Sequence, residues 1–304
     1  MPTSTLNLKG SISPREALGL ILYRFSKRLA LVFVGSWLIV LLMLSGFYVW
    51  NLIHPPCPPS AESMPGYESV KLVTATGIAL RGWWRAPENG TAVVLLGGHG
   101  ANRDTMLPEA GILADHGFGV LTLDYRSCAG RVATLGARET EELQTGLQYL
   151  QTQPGVQRSA VMGFSAGGVA AIRTAARDSQ ISAVIAMGNY ANLWDEIANS
   201  NAPPLSLEWQ VERVVAGMIG LIIGEWPASV SPVDDLCQVQ PRPVFLIHGE
   251  KEAAGNHAQA QADAAGQAAE LWIVPGAGHG EYLKFARQEF ERRIVRFLES
   301  AAEP

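Results

Sequence analysis

From Tyr67 onward the chain is a succession of short apolar runs separated by helix-compatible stretches, and this alternation constrains the fold more than any single residue. Residues 68–74 and 78–84, split by Thr76-Gly77, read as an antiparallel hairpin. Residues 92–96, 120–123, 160–162, 183–187, 244–247 and 271–274 follow as buried-strand candidates. Strands that alternate with helices bury both faces of a sheet, so the pattern predicts an α/β fold with a mostly parallel, eight-stranded sheet. Sheets of this kind place their sites at the carboxyl ends of the strands. One interval, residues 190–243, is too long for a simple crossover helix. It contains the apolar stretch 211–223 between Pro203-Pro204 and Trp226-Pro227. That stretch reads as a cap across the strand ends, with a buried core helix as the alternative; the cap insertion is placed at about residues 193–242.

The front of the chain has a different character. Residues 29–53 form a run of 25 without a charge, enough to cross a hydrocarbon core as a helix. The run exceeds a typical signal-peptide apolar region and lacks a following A-x-A-like cleavage site, which favours a retained transmembrane anchor over a cleaved signal. Arg24, Lys27 and Arg28 precede it and no Lys or Arg follows until Lys71, so the positive-inside bias puts the N-terminus in the cytoplasm and the main domain on the extracytoplasmic side. Tyr23 and Phe25 at one end, and Tyr48 and Trp50 at the other, suit interfacial belts. Residues 54–66 carry five prolines and read as an extended spacer between bilayer and main domain. The expected organisation is a basic segment (1–28), a transmembrane helix (29–53), a Pro-rich linker (54–66) and the main domain (67–304).

Charge narrows the function. The net charge is −5, although residues 1–28 hold five basic residues against Glu16, so the main domain is acidic. An acidic domain without a basic stripe argues against nucleic acid as a partner. Cys57, Cys128 and Cys237 are widely spaced and odd in number, which indicates neither a disulfide framework nor a zinc site; one disulfide is compatible with an exported domain.

The chemistry gathers after the strands. Gly163-Phe164-Ser165-Ala166-Gly167 follows an apolar run and opens a small-residue segment, the strand–turn–helix context that lifts a serine clear of a sheet as a nucleophile. Gly97-Gly98-His99-Gly100-Ala101 follows the 92–96 run, and such a turn can aim backbone N–H groups at a developing oxyanion. Ala101 and Ala166 are the expected donors, and His99 reads as a turn residue rather than a base. His279 lies between Gly278 and Gly280 after the last strand, in an accessible loop that suits a general base. Glu252 follows the 244–247 strand and can orient that histidine, with Glu250 and Asp195 as alternative acids.

In combination these residues resemble the α/β-hydrolase fold, and residues 67–298 look similar to its serine-hydrolase branch of monoacylglycerol-lipase-like, carboxylesterase-like and serine-aminopeptidase-like members. The resemblance rests on His99-Gly100, Asp124-Tyr125-Arg126, the elbow at 163–167, Ser231-Pro232 and Pro243 leading into His248-Gly249, and Gly278-His279-Gly280. It implies a catalytic triad of Ser165, His279 and Glu252 that cleaves a carboxylic ester through an acyl-enzyme, with a small-molecule acyl substrate and no cofactor or metal. The chain departs from the family in carrying Glu252 where Asp is usual, and Ser127-Cys128-Ala129 where a glycine- and histidine-containing turn is usual. Two rivals remain. A peptidase acting on small peptides or amides would use Glu208, Glu212 or Asp195 to hold a substrate amine, and a non-catalytic binding protein would retain the fold with a degenerate site.

Overall fold

A computed structural model describes residues 13–198 and 202–302. Residues 1–12, with Lys9 of the basic segment, residues 199–201 of the expected cap insertion, and residues 303–304 lie outside the described residues.

One long helix, α1 (Pro14–Ile53), opens the described chain. Its 40 residues make a rod about 60 Å long. Ser13 starts it through a capping box: the Ser13 hydroxyl accepts from the Glu16 N–H, and the Glu16 carboxylate accepts from the Ser13 N–H. By length and composition α1 can cross a membrane. It begins well before the expected span at residue 29 and is mostly exposed, except for a stripe at Leu41, Ser45, Val49 and Ile53.

The rest of the chain runs β1 (Glu68–Val73), β2 (Ala79–Arg85), β3 (Thr91–Leu96), α2 (Leu107–Asp115), β4 (Gly119–Leu123), α3 (Thr140–Gln151), β5 (Arg158–Phe164), α4 (Ala166–Arg177), β6 (Ile181–Met187), α5 (Leu193–Ala198), α6 (Leu207–Ile223), α7 (Pro232–Val239), β7 (Val244–Gly249), α8 (Ala258–Ala265), β8 (Ala269–Val274) and α9 (Tyr282–Ser300). All eight strands pair in one sheet of order β1-β2-β4-β3-β5-β6-β7-β8. The β1–β2 and β2–β4 pairs are antiparallel, and every pair from β4–β3 to β7–β8 is parallel. Every residue of β3 is buried, and successive ones point to opposite faces: Val94 and Leu96 join a core with α3, α4 and α7, while Val93 and Leu95 join one with α2 and α9. Two covered faces are what a parallel sheet requires.

A third apolar cluster lies outside the sheet. Val49 and Ile53 of α1 meet Val215, Ile219 and Ile223 of α6 together with Leu135 and Tyr190. The stretch at 211–223 is therefore part of α6, a helix laid against α1 above the strand ends. Trp37 Nε1 donates to Gln210 Oε1 at 3.2 Å, and Gly46 faces Met218, so the two helices run in the same direction from Trp37 to Ile53. The second half of the expected span is thus flanked by α6.

The Pro-rich segment also departs from the spacer expected of it. Instead of bridging a gap, it is strapped to the domain. Asn102 Nδ2 donates to the carbonyls of Pro58 and Pro59, Asp104 accepts from the Ala61 N–H, and Arg103 donates to Ser60 Oγ and the Ala61 carbonyl. Cys57 and Cys128 form a disulfide that closes the strap onto the turn after β4. Proline-rich composition predicts an extended backbone, but it does not reveal that the carbonyls of that backbone have partners waiting on the domain surface.

Candidate active site

Ser165 stands between β5 and α4 with φ 53° and ψ −122°, a conformation few non-glycine residues adopt. The flanking glycines make this turn possible: a Cβ at Gly163 would collide with the Gly167 backbone, and one at Gly167 with the Leu96 carbonyl. The Ser165 N–H is anchored on the Met187 carbonyl at 2.7 Å, which ties the elbow to β6. Gly98 of the turn after β3 approaches so closely that a Cβ there would sit 3.0 Å from Ser165 Cβ.

His279 and Ser165 line one pocket of about 380 Å³, together with Gly98, His99, Thr105 and Pro58. Behind the imidazole, Nδ1 meets Glu252 Oε2 at 2.5 Å. Glu252 is a heavily engaged carboxylate: its Oε1 accepts from Tyr282 Oη at 2.5 Å and from the Gly249 N–H at 2.9 Å. Burial works to raise its pKa, but the hydrogen bonds from His279, Gly249 and Tyr282 outweigh it and hold the carboxyl at about 2. An ionised carboxylate only accepts, so the proton in the pair sits on His279 Nδ1, leaving Nε2 as the basic nitrogen. Phe164 packs on the imidazole at 4.6 Å between ring centroids. Gly188 makes room for it, since a Cβ there would lie 3.1 Å from its Cε1 and Nδ1.

The alternative acids lie elsewhere. Glu250 accepts from the Gly276 N–H at 2.7 Å and braces an exposed turn. Asp195 lines a cleft between α1 and α6, together with Glu208 and Glu212. His248 is wholly buried; desolvation lowers its pKa to about 4 and keeps the ring neutral. It is a core residue rather than a base.

The turn after β3, expected to aim N–H groups at an oxyanion, differs from expectation in one N–H. The Ala101 N–H is already used, bonding to the Gly98 carbonyl at 3.0 Å within the turn. The N–H groups of His99 and Ala166 have no hydrogen-bond partner among the described residues, and both residues border the pocket of about 200 Å³ that also contains Ser165. The closed turn Gly98–Ala101 leaves His99, rather than Ala101, with an N–H not engaged by the described residues. The His99 side chain serves a different end, with Nε2 at 2.5 Å from the Leu52 carbonyl in the last turn of α1.

Several residues of the site carry no sequence motif. Tyr282, three positions after His279, holds Glu252; a hydroxyl one helical step from the base was the only available signal. Glu196 of α5 faces the Ser165 pocket together with Tyr190. Burial raises the Glu196 carboxyl above its ordinary range, opposed by His279 and reinforced by Glu252, which places it within electrostatic reach of both. Tyr48 and Leu52 of α1 complete the same pocket wall. Among the described residues no group of three or more His, Cys, Asp or Glu side chains is placed to hold a metal ion.

Comparison with known proteins agrees with this architecture. The model of the alpha/beta hydrolase family matches residues 93–292. An esterase from Pyrococcus furiosus superposes with a TM-score of 0.64 at 22% identity, covering 83% of this chain and 98% of that one. A hypothetical protein from Pseudomonas aeruginosa gives 0.59 at 21% identity, over 80% of this chain and 95% of that one. Est1E from Butyrivibrio proteoclasticus gives 0.57 at 16% identity, over 76% of this chain and 99% of that one. At these identities the likeness establishes the fold. No curated protein matches the chain in sequence.

Proposed function

The chain belongs to the alpha/beta hydrolase family, and from that premise we propose that it is a membrane-anchored serine hydrolase that cleaves carboxylic esters through an acyl-enzyme. The observation that carries this reading is the pairing of Glu252 Oε2 with His279 Nδ1 at 2.5 Å behind a pocket whose opposite wall is Ser165, held at positive φ.

In this mechanism His279 Nε2 accepts the Ser165 hydroxyl proton as Oγ bonds to the substrate carbonyl carbon. The carbonyl oxygen becomes an alkoxide held by the N–H groups of Ala166 and His99, donors that need no reorganisation when the charge appears. As the tetrahedral species collapses, the bond to the leaving oxygen breaks and His279 delivers its proton there. Water then repeats the sequence, releasing the acid and restoring Ser165. Throughout, Glu252 fixes the imidazole tautomer and stabilises the imidazolium. Replacing Ser165 with Ala is expected to abolish turnover of short-chain esters and labelling by a fluorophosphonate. Wild-type-like activity in the purified variant would sink the assignment.

A peptidase or amidase is the second reading, because Asp195, Glu208 and Glu212 do gather on one cleft. Hydrolysis of aminoacyl anilides at rates above those of matched esters would favour it.

α1 is the proposed anchor, with the N-terminus in the cytoplasm and the catalytic domain on the extracytoplasmic side. The Cys57–Cys128 disulfide supports that side, since such bonds persist in oxidising compartments. A C-terminal reporter active only in the cytoplasm would contradict this orientation.

A further inference from the structure

Two cavities meet at Ser165, and they differ in kind. The pocket of about 380 Å³ contains His279 and opens beside the strap at Pro58. On the other side of Ser165, the pocket of about 200 Å³ is walled by Leu52, Leu135 and Tyr190 and does not include His279. This second pocket continues through a neck of Tyr48, Glu196 and Ile197, residues it shares with a cleft of about 860 Å³ between α1 and α6. The walls of the cleft are predominantly apolar, including Leu44 and Phe47 of α1 and Val211 and Val215 of α6. Its volume falls in the range of pockets that enclose a whole small-molecule ligand, about 300–1,000 Å³.

The chemistry decides which part of an ester goes where. His279 must hand a proton to the departing oxygen, so the alcohol portion belongs in the pocket that contains His279. The acyl portion, bonded to Ser165 Oγ, is left on the opposite side, where the neck and cleft offer an apolar continuation. The carboxylates around the cleft, Asp195, Glu196, Glu208 and Glu212, oppose any occupant that carries negative charge. We infer that the cleft between α1 and α6 is the acyl-chain site for long-chain, uncharged carboxylic esters, so that the apolar N-terminal helix is a wall of the substrate site as well as an anchor. The inference rests on the reading of Ser165 as the acyl-transfer nucleophile.

α1 suits this role because it is held in register with the site. Trp37 is bonded to Gln210, Leu52 to His99, and the Ile53 carbonyl accepts from the Ala133 N–H at 2.9 Å. The face it turns toward the cleft is nevertheless largely uncovered: Leu44 is 44% and Phe47 72% exposed. An acyl chain there would cover apolar surface that the fold leaves open.

The test compares p-nitrophenyl acetate with p-nitrophenyl palmitate, using the detergent-solubilised full chain. Leu44→Trp and Val211→Trp each fill the cleft without touching Ser165, Glu252 or His279. Each is expected to lower the palmitate-to-acetate ratio of kcat/KM by about tenfold, the loss expected when roughly 1.4 kcal/mol of chain binding is removed. Leu221→Trp, at an α6 position that is 85% exposed and outside the cleft lining, should leave the ratio where it was. An unchanged ratio in both cleft variants, with acetate hydrolysis intact, would overturn the acyl-site inference while leaving the hydrolase reading standing. Failure of the wild-type chain to hydrolyse either ester, or to react with a fluorophosphonate, would overturn both. Should the Trp variants lose all activity, a long-chain fluorophosphonate with a terminal diazirine decides. Crosslinks from labelled Ser165 to residues 44–48 or 207–215 support the assignment, and crosslinks confined to the His279 side refute it.

Discussion

The two halves of the candidate site are held in different ways. On the acid–base side, the loops after β7 and β8 lock themselves together: His279, Tyr282 and the Gly249 N–H converge on one carboxylate, all within the sheet domain. On the oxyanion side, the turn after β3 is held from outside. His99 bonds to Leu52, Pro55 lies against Gly100, and Asn102 takes the carbonyls of Pro58 and Pro59, all from a helix and strap more than forty residues earlier. Loops that share a charged hub need no help, whereas a glycine-rich turn has many conformations to lose and is fixed by whatever packs on it. The N-terminal region is thus part of the architecture of the candidate site, and a fragment beginning at residue 60 would lack Leu52, Pro58 and Cys57.

Breaking the acid–base half should have the largest effect. Glu252→Gln removes the charge that fixes the imidazole tautomer, and kcat is expected to fall by about 10³–10⁴ with little change in KM, measured on short-chain esters. Loss of less than tenfold would mean that another carboxylate serves. On the oxyanion side, Cys57→Ser with Cys128→Ser releases the strap. Denaturant unfolding of the full chain should show a loss on the order of 2–4 kcal/mol, and addition of reductant should lower the stability of wild type but not of the double variant.

Tyr282→Phe sharpens the comparison by removing one donor from the hub. A buried hydrogen bond to a charged group is worth about 1.5–3 kcal/mol, so stability and kcat should both fall, the latter by less than in Glu252→Gln. The pH dependence has a definite sign. Because the folded Glu252 carboxyl titrates at about 2, below its ordinary 4.5, its contribution is complete above the ordinary value and is lost as pH falls toward 2. In Tyr282→Phe the folded pKa moves up toward its ordinary value, so the acid-side loss of melting temperature owed to Glu252 should be smaller and should level off at higher pH than in wild type. Coincident acid profiles would contradict the role given to Tyr282.

The smallest effect is expected from His99→Ala. It keeps the backbone N–H proposed for the oxyanion and loses only the side-chain bond to Leu52, worth about 0.5–1.5 kcal/mol. Melting temperature should drop slightly, and kcat should fall less than tenfold. A loss as large as that of Glu252→Gln would make the imidazole itself a catalytic group.

Much of this protein was legible before its structure. The eight strands could be located because apolar runs of strand length, broken by turn residues, report burial directly. Ser165 could be singled out because its glycines are a local steric requirement, and Glu252 was preferred to Glu250 only because it stands where the resembled family usually carries Asp. Which amide of the turn after β3 stays free was not legible, because it depends on how residues 98–101 close on themselves. Nor were Gly188 and Glu196, which carry no pattern of their own and reach the site only because β6 ends beside it.

By itself, the sequence determined the sheet, the glycine elbow at Ser165, the placing of Glu252 and His279 after the strands, and an apolar helix at the front, since each of these is written in short-range periodicity and turn chemistry. Only the tertiary structure decided that this helix runs alongside α6, that the proline strap is bolted to the turn after β3, and that Tyr282 completes the hub around Glu252. Those outcomes depend on contacts between segments far apart in the chain, and no local pattern encodes which distant surface a helix or loop will meet.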